Sequence, residues 1–252
     1  MSSSKSLICL LVILLCILSS AFNSVADIPM NEITLLGDAY FQENGAIFLT
    51  SSLPSSVGRA IYNHPIRLRL SSWNSTASFV SSFTFLITPT FNSDSSSSPP
   101  LIGDGLTFVI TDQPNIEKGM YIVVEFGTSF DSSLEDIGDN HIGINVNLVL
   151  SVESVNSSTT MGFVLKNGKR TTGWIEYDDS EKILKVWLSY TNSKPVQPIH
   201  ATRCDLSNVS MYLDEFMFVG FTASNRKGTS AKHVIENWVF TIGVTIMYFK
   251  IH

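Results

Sequence analysis

Cysteine is scarce in this chain of 252 residues, and only Cys9, Cys16 and Cys204 are present. The first two fall in an apolar run from Leu7 to Leu18 that follows a lone Lys5 and precedes small residues. That arrangement predicts a secretory signal peptide over residues 1–26, with cleavage after Ala21 or Ala26; the run is too short for a spanning helix. Cys204 then remains alone, which excludes an internal disulfide, so the fold must rest on its core. Cys204 itself reads as a small buried hydrophobe.

Charge is also sparse, at 15% of residues, and the 16 Lys and Arg form no basic stripe within a net charge of −6. A nucleic-acid partner is excluded on that ground. No amphipathic helical periodicity of several turns appears, and there is no nucleophile elbow, phosphate loop or zinc spacing. The last apolar stretch, Ile242 to His252, reads as a short stub that cannot span a bilayer.

What is present is a succession of short β-rich runs with turn signals between them, which predicts an all-β sandwich or barrel in one domain over 27–241. Ile33 to Leu36 and Ala46 to Thr50 flank Glu43-Asn44-Gly45 and read as a hairpin. Ala77 to Ile87 alternates, with Phe79, Ser81, Phe83 and Phe85 on one face. Thr90 to Pro100 is a serine-rich loop. Further strands are expected at Val57 to Tyr62, Leu106 to Thr111, Ile142 to Ser154, Met161 to Leu165, Gly173 to Tyr177, Ile183 to Tyr190, Phe216 to Thr222 and Ile235 to Thr241. Leu184, Val186, Leu188 and Tyr190 should share a face. The sequons at Asn74, Asn156 and Asn208 fit glycosylation on a secretory route.

Chemistry concentrates between Val123 and Asn147. Two apolar strand-like runs enclose a loop that, with its flanks, offers Glu125, Asp131, Asp136, Asp139 and His141, the oxygen and imidazole donors that hard and borderline cations prefer. A solvated acidic loop closed by a hydrogen-bonding histidine would look the same. Upstream, Gly103-Asp104-Gly105 lets the backbone turn tightly and aims a carboxylate off a strand end; a plain turn is the alternative.

The ordered set ITLLGDA, VGRAIY, SFTF, GDGLTF, VEF to HIGINVN, IEYD, FVGFTAS and ENWVF resembles the legume lectins, and in GWIEYDD, LDEFMFVGFTAS and HVIENWVF especially the lectin domains of plant L-type lectin receptor-like kinases. The resemblance runs from Ile33 to Phe240 and implies a two-layer antiparallel jelly-roll sandwich that binds sugar at loops on its concave side. It further implies a metal loop of Glu125, Ser129, Asp131, Asp136 and His141, in which Glu125, Asp136 and His141 match transition-metal ligands, and Asp131 and Asp136 match calcium ligands. Asp104, Gly119 and Asp131 match the sugar-binding positions.

Where that family has E-F-D-T, with an aspartate bridging the two metals, this chain has Glu125-Phe126-Gly127-Thr128. A lost transition-metal (manganese) site and a single weakened calcium site are therefore expected. Ser129 stands where the family often has a stacking aromatic ring, with Phe130 displaced by one residue. Asp131 replaces an asparagine and can ligate but not donate. Ser224 to Gly228 matches the variable specificity loop, with a hairpin turn whose cations face water as the plainer reading.

The function so implied is a secreted or cell-surface carbohydrate-binding domain of the plant apoplast, with a carbohydrate or glycoconjugate as partner and a homo-oligomer through the back sheet as a further expectation. The alternative is a lectin-scaffold defence or interaction module without sugar binding, or a truncated receptor ectodomain. A jelly-roll glycosidase would need acidic residues alternating along the strand. Gly127 and Ser129 follow Glu125 at the positions facing the same way, so an enzyme is not expected.

Overall fold

The computed structural model describes residues 30–70, 75–90, 102–115, 121–134, 136–146, 153–157, 162–209, 215–226, 228–243 and 245–249. The expected leader, the stretch 91–100, Asn74 and Gly119 lie outside the described residues.

In chain order the strands begin with β1 (Ile33–Gly37), β2 (Tyr40–Phe41), β3 (Ile47–Phe48), β4 (Val57–Tyr62), β5 (Ile66–Arg67), β6 (Arg69–Leu70) and β7 (Ser75–Thr76). The long central strands are β8 (Phe79–Pro89), β9 (Gly105–Thr111), β10 (Tyr121–Gly127) and β11 (His141–Val146), followed by β12 (Glu153–Asn156). Then come β13 (Thr171–Asp178), β14 (Ile183–Ser189), β15 (His200–Arg203), the one-turn helix α1 (Leu206–Val209), β16 (Phe216–Ser224), β17 (Ala231–Ile242) and β18 (Thr245–Phe249).

Apart from β6 and β7, which pair only with each other, these strands build two antiparallel sheets. The first runs β1-β4-β16-β9-β10-β11-β12, with β5 also on β16, and the second runs β15-β14-β13-β8-β17-β3-β2, with β18 also on β17. Period-two patterning explains how they close on each other. In β8, Phe79, Ser81, Phe83, Phe85 and Ile87 are buried, and Val80 and Thr88 are exposed. In β10, Ile122, Val124 and Phe126 are buried on one face, and Val123 and Glu125 on the other remain partly open. The two inner faces meet in an aromatic cluster: Phe83 of the second sheet lies 4.7 Å from Phe221, 5.8 Å from Phe126 and 6.3 Å from Phe108 of the first. Phe221 in turn packs edge-on at 4.8 Å against Trp238 of β17. Rings of this size remove roughly 150–250 Å² each from water, so the cluster, with no disulfide among the described residues, carries the fold. Cys204 is buried, free and pushed up to about 11, first by burial and then by Asp205.

Several expectations are corrected. Ile33 to Leu36 and Ala46 to Thr50 do not pair: β1 pairs with β4 in the first sheet, and β3 pairs with β2 and β17 in the second. The hairpin across Glu43 to Gly45 is β2 with β3, because Gly37 at φ 66° breaks β1 before the turn. Ile142 to Ser154 is not one strand, since β12 folds back on β11 with Ile142 opposite Val155. Of the strand expected at Met161 to Leu165, Met161 lies outside the described residues and Gly162 to Leu165 form no strand. Gly162 has φ 66°, and the amides of Val164 and Leu165 donate to Tyr190 Oη and Asn140 Oδ1 rather than to a ladder. Tyr190 lies beyond β14 and is exposed rather than on the buried face. The expected stub at 242–252 contains β18, which turns at Gly243 and pairs Thr245 to Phe249 along β17.

Candidate functional site

Strand register gathers the chemistry at one rim of the first sheet. Ser224 of β16 lies opposite Gly105 of β9, Gly105 opposite Gly127 of β10, and Gly127 opposite His141 of β11. One row of residues thus ends four strands together, and the segments attached there carry Asp104, Ser129 to Asp139 and Arg226. Gly105, at φ 131°, could take no side chain, because a Cβ would come within 2.3 Å of the Phe126 carbonyl oxygen.

Asp104 is fixed by its backbone: its N–H donates to Ser224 O at 3.0 Å, and its carbonyl accepts from Thr128 N at 3.0 Å. The Thr128 hydroxyl ties the preceding residue by donating to Gly103 O at 2.7 Å. Its carboxylate is engaged as well. Oδ2 accepts from Ser224 Oγ at 2.8 Å, and Oδ1 accepts from Arg226 Nε and, at 3.4 Å, from Ser129 Oγ. The same guanidinium donates from Nη2 to Ser129 Oγ at 2.9 Å and lies 3.3 Å from Asp131 Oδ2 through Nη1. Asp104, Ser129 and Asp131 are therefore brought together around one cation, and Arg226, still partly open to water, folds over these residues rather than pointing away as the plainer reading of its turn had it.

Asp131 joins this group to the acidic loop. Its N–H donates to Asp136 Oδ2 at 2.8 Å, and its own Oδ1 accepts from Ser133 N at 2.9 Å and Ser133 Oγ at 2.6 Å. The Ser133 hydrogen bonds, helped by Arg226, hold the Asp131 carboxyl below its usual range. His141 is buried; its Nδ1 lies 2.8 Å from the Gly138 carbonyl, so that nitrogen carries the proton. Nε2 points at Asp136 Oδ1, 3.4 Å away, and Glu125 Oε1, 4.0 Å away, without completing a hydrogen bond. Burial raises the Glu125 carboxyl above its usual range, reinforced by Asp136 and Asp104 and opposed by His141 and Arg226.

The family's two-metal arrangement does not fit these residues. The space of the bridging carboxylate is filled by the imidazole, since a Cβ on Gly127 would come within 2.2 Å of His141 Cε1. On the calcium side, Asp131 Oδ1 and Asp136 Oδ2 are spent on loop hydrogen bonds and a guanidinium sits beside Asp131 Oδ2. Among the described residues, no group of three or more His, Cys, Asp or Glu is arranged to hold a metal ion. Asp139 does not add a fourth charge to the cluster. Its carboxylate turns to Lys166, which holds it below its usual range.

Lys166 is a residue that sequence reasoning missed. Its Nζ also donates to the carbonyls of Thr128 at 3.2 Å and Asp139 at 2.8 Å, so it pins both ends of the acidic loop. No local signal marks it, because its partners lie 38 and 27 residues away. Phe130 is 55% exposed and points into solvent. Asn156 ends β12 and Asn208 lies in α1.

Two facing antiparallel sheets with polar and charged loops gathered at one rim define a concanavalin A-like sandwich of the lectin class. The Legume lectin domain profile matches residues 18–121 and 115–247, and the chain belongs to that family. It is 39% identical over 239 residues to the L-type lectin-domain containing receptor kinase S.6 of Arabidopsis thaliana, covering 84% of this chain and 33% of the kinase. It is 30% identical over 276 residues to an Arabidopsis thaliana lectin-like protein, covering 92% of this chain and 96% of that protein. Among solved structures, the basic winged bean lectin with Tn-antigen superposes with a TM-score of 0.69 at 28% identity, covering 88% of this chain and 97% of that one. The chain thus spans about a third of the length of the receptor kinase it matches.

Proposed function

We propose that this chain is a carbohydrate-binding lectin domain, exported through the secretory route by residues 1–26 and displayed outside the plant cell. The observation that carries this reading is the grouping of Asp104, Ser129 and Asp131 around Arg226 at one rim. A sugar hydroxyl both donates and accepts, so a site for it needs both partners. Asp104 supplies charge-assisted acceptors, and Arg226, which has more N–H groups than it spends on its neighbours, supplies the donor that an ionised Asp131 lacks. The ligand is a glycoconjugate, as the winged bean lectin's bound Tn-antigen supports. Gly119 contributes a backbone donor, Asn74, Asn156 and Asn208 carry glycans, the rim works without bound calcium or manganese, and the second sheet is the face for self-association.

A glycan array on the folded domain tests the reading. Binding to a defined class of glycan that disappears in Asp104→Ala is expected; equal binding by that variant would sink it. A second reading, a lectin scaffold without sugar binding, draws on the fact that both Asp104 oxygens already accept hydrogen bonds from Ser224 and Arg226. An array blank across all glycans would favour it.

A further inference from the structure

We infer that Arg226 does for this chain what calcium does in the resemblance drawn from its sequence: its guanidinium is a covalently attached cation that holds Asp104, Ser129 and Asp131 in place, so that the pocket assembles without metal. The pocket's ligand rests on the carbohydrate reading above; the bracing does not.

Three observations carry the inference. First, the contacts join segments far apart in sequence, with Arg226 reaching Asp104 at a separation of 122 residues and Ser129 at 97. A planar fork with five N–H donors can hold three oxygen partners at once, which a lysine ammonium does with less directional control. Second, the arginine is presented by a locked turn. Its carbonyl accepts from Ser55 N, Thr229 N and Thr229 Oγ1. Asn225 before it is buried, donates from Nδ2 to the carbonyls of Ser51, Leu53 and Ala231, and accepts from Ala231 N. A side chain on such a turn is positioned before any ligand arrives.

Third, the site requires positive charge and leaves calcium little room. Glu125, Asp104, Asp131 and Asp136 lie together, yet calcium needs six to eight oxygens at about 2.3–2.6 Å. Two of the oxygens it would take are already acceptors within the loop, and its double charge would meet the guanidinium at Asp131. Lys166 completes the replacement on the other side, where it bridges the Thr128 and Asp139 carbonyls.

The test uses the folded domain, stripped with chelator, with calcium chloride as the probe, in wild type, Arg226→Ala and Arg226→Lys. Wild type is expected to melt at the same temperature in chelator and in calcium. Arg226→Ala should melt lower in chelator and recover when calcium is added, because the freed carboxylates then accept the ion. If the alanine variant does not fold, Arg226→Lys carries the test, with a smaller loss and a smaller recovery. A calcium-dependent rise in wild type, or an alanine variant that matches wild type in chelator, overturns the inference. For any glycan found on the array, wild-type affinity should survive chelator, and its loss there overturns the inference too. A blank array sinks the carbohydrate reading alone, and the melts still decide the bracing.

Discussion

The imidazole of His141 packs against Gly127, its partner across the β10–β11 ladder, and fills the volume where any side chain at that position would sit. A methyl group there must push the ring aside, and overpacking of this kind costs about 1–3 kcal/mol. Gly127→Ala should therefore lower the urea midpoint without changing the slope. Gly127→Asp displaces the same ring but adds a carboxylate beside Glu125, Asp136 and His141, a set of donors suited to a first-row metal. Titration calorimetry should find manganese binding in this variant and none in wild type.

Asn225 holds the turn that carries Arg226, and its amide is saturated by Ser51, Leu53 and Ala231. Asn225→Ala takes the acceptor from the buried Ala231 N–H and the donor from the Ser51 and Leu53 carbonyls, while the Ala231 carbonyl keeps Thr50 Oγ1, and an unsatisfied buried group costs about 1–3 kcal/mol. A drop of about 3 kcal/mol in unfolding free energy is expected. Loss of glycan affinity should exceed what a variant equally destabilised elsewhere shows, because Arg226 loses its presentation.

Phe83→Ala supplies that control. Phe83 touches Phe108, Phe126 and Phe221 across the two sheets and is fully buried, so its removal should cost about 3–5 kcal/mol. The rim lies at the strand ends, away from this cluster, and glycan affinity measured on the folded fraction should hold.

How much of this was legible beforehand follows from the range of the interactions involved. Strands such as β8 and β14 announce themselves by alternation, because the side-chain period is local, and β10 does so as a short apolar run. The acids of the metal loop and Asp104 were also legible, since each sits on a short stretch of distinctive residues. Which sheet β1 joins was not, because its partner β4 is chosen by core packing rather than by the nearest turn. Met161 to Leu165 reads as a strand by hydrophobicity, but Asn140 and Tyr190, distant in sequence, take its amides. Arg226 and Lys166 sit among turn residues and look solvated. Their inward orientation is decided by carboxylates and carbonyls up to 122 residues away, and no local pattern encodes that.

His233 makes stability depend on pH above the window of the lowered carboxylates. It is wholly buried; its Nδ1 lies 2.8 Å from Thr50 Oγ1, whose own hydrogen goes to the Ala231 carbonyl, and its Nε2 has no partner among the described residues. Protonation would place an N–H on that isolated nitrogen, and burial accordingly pushes the imidazole from 6.5 down to about 3. Between those values the unfolded chain binds a proton that the folded chain refuses, so stability falls as pH drops below 6.5. From pH 7 to pH 5 the loss is about 2 kcal/mol. The lowered carboxyls of Asp131, Asp139 and Asp205 act the same way only around and below pH 4, where their unfolded forms protonate. Glu125, raised, acts with the opposite sign: the stability of its protonated folded form is present below its unfolded value of 4.5 and fades as pH rises through its folded one. Urea unfolding at the two pH values isolates the histidine when His233→Asn is run beside wild type. The variant should lose about 2 kcal/mol less on acidification, and an equal loss in both would show that another group sets the dependence.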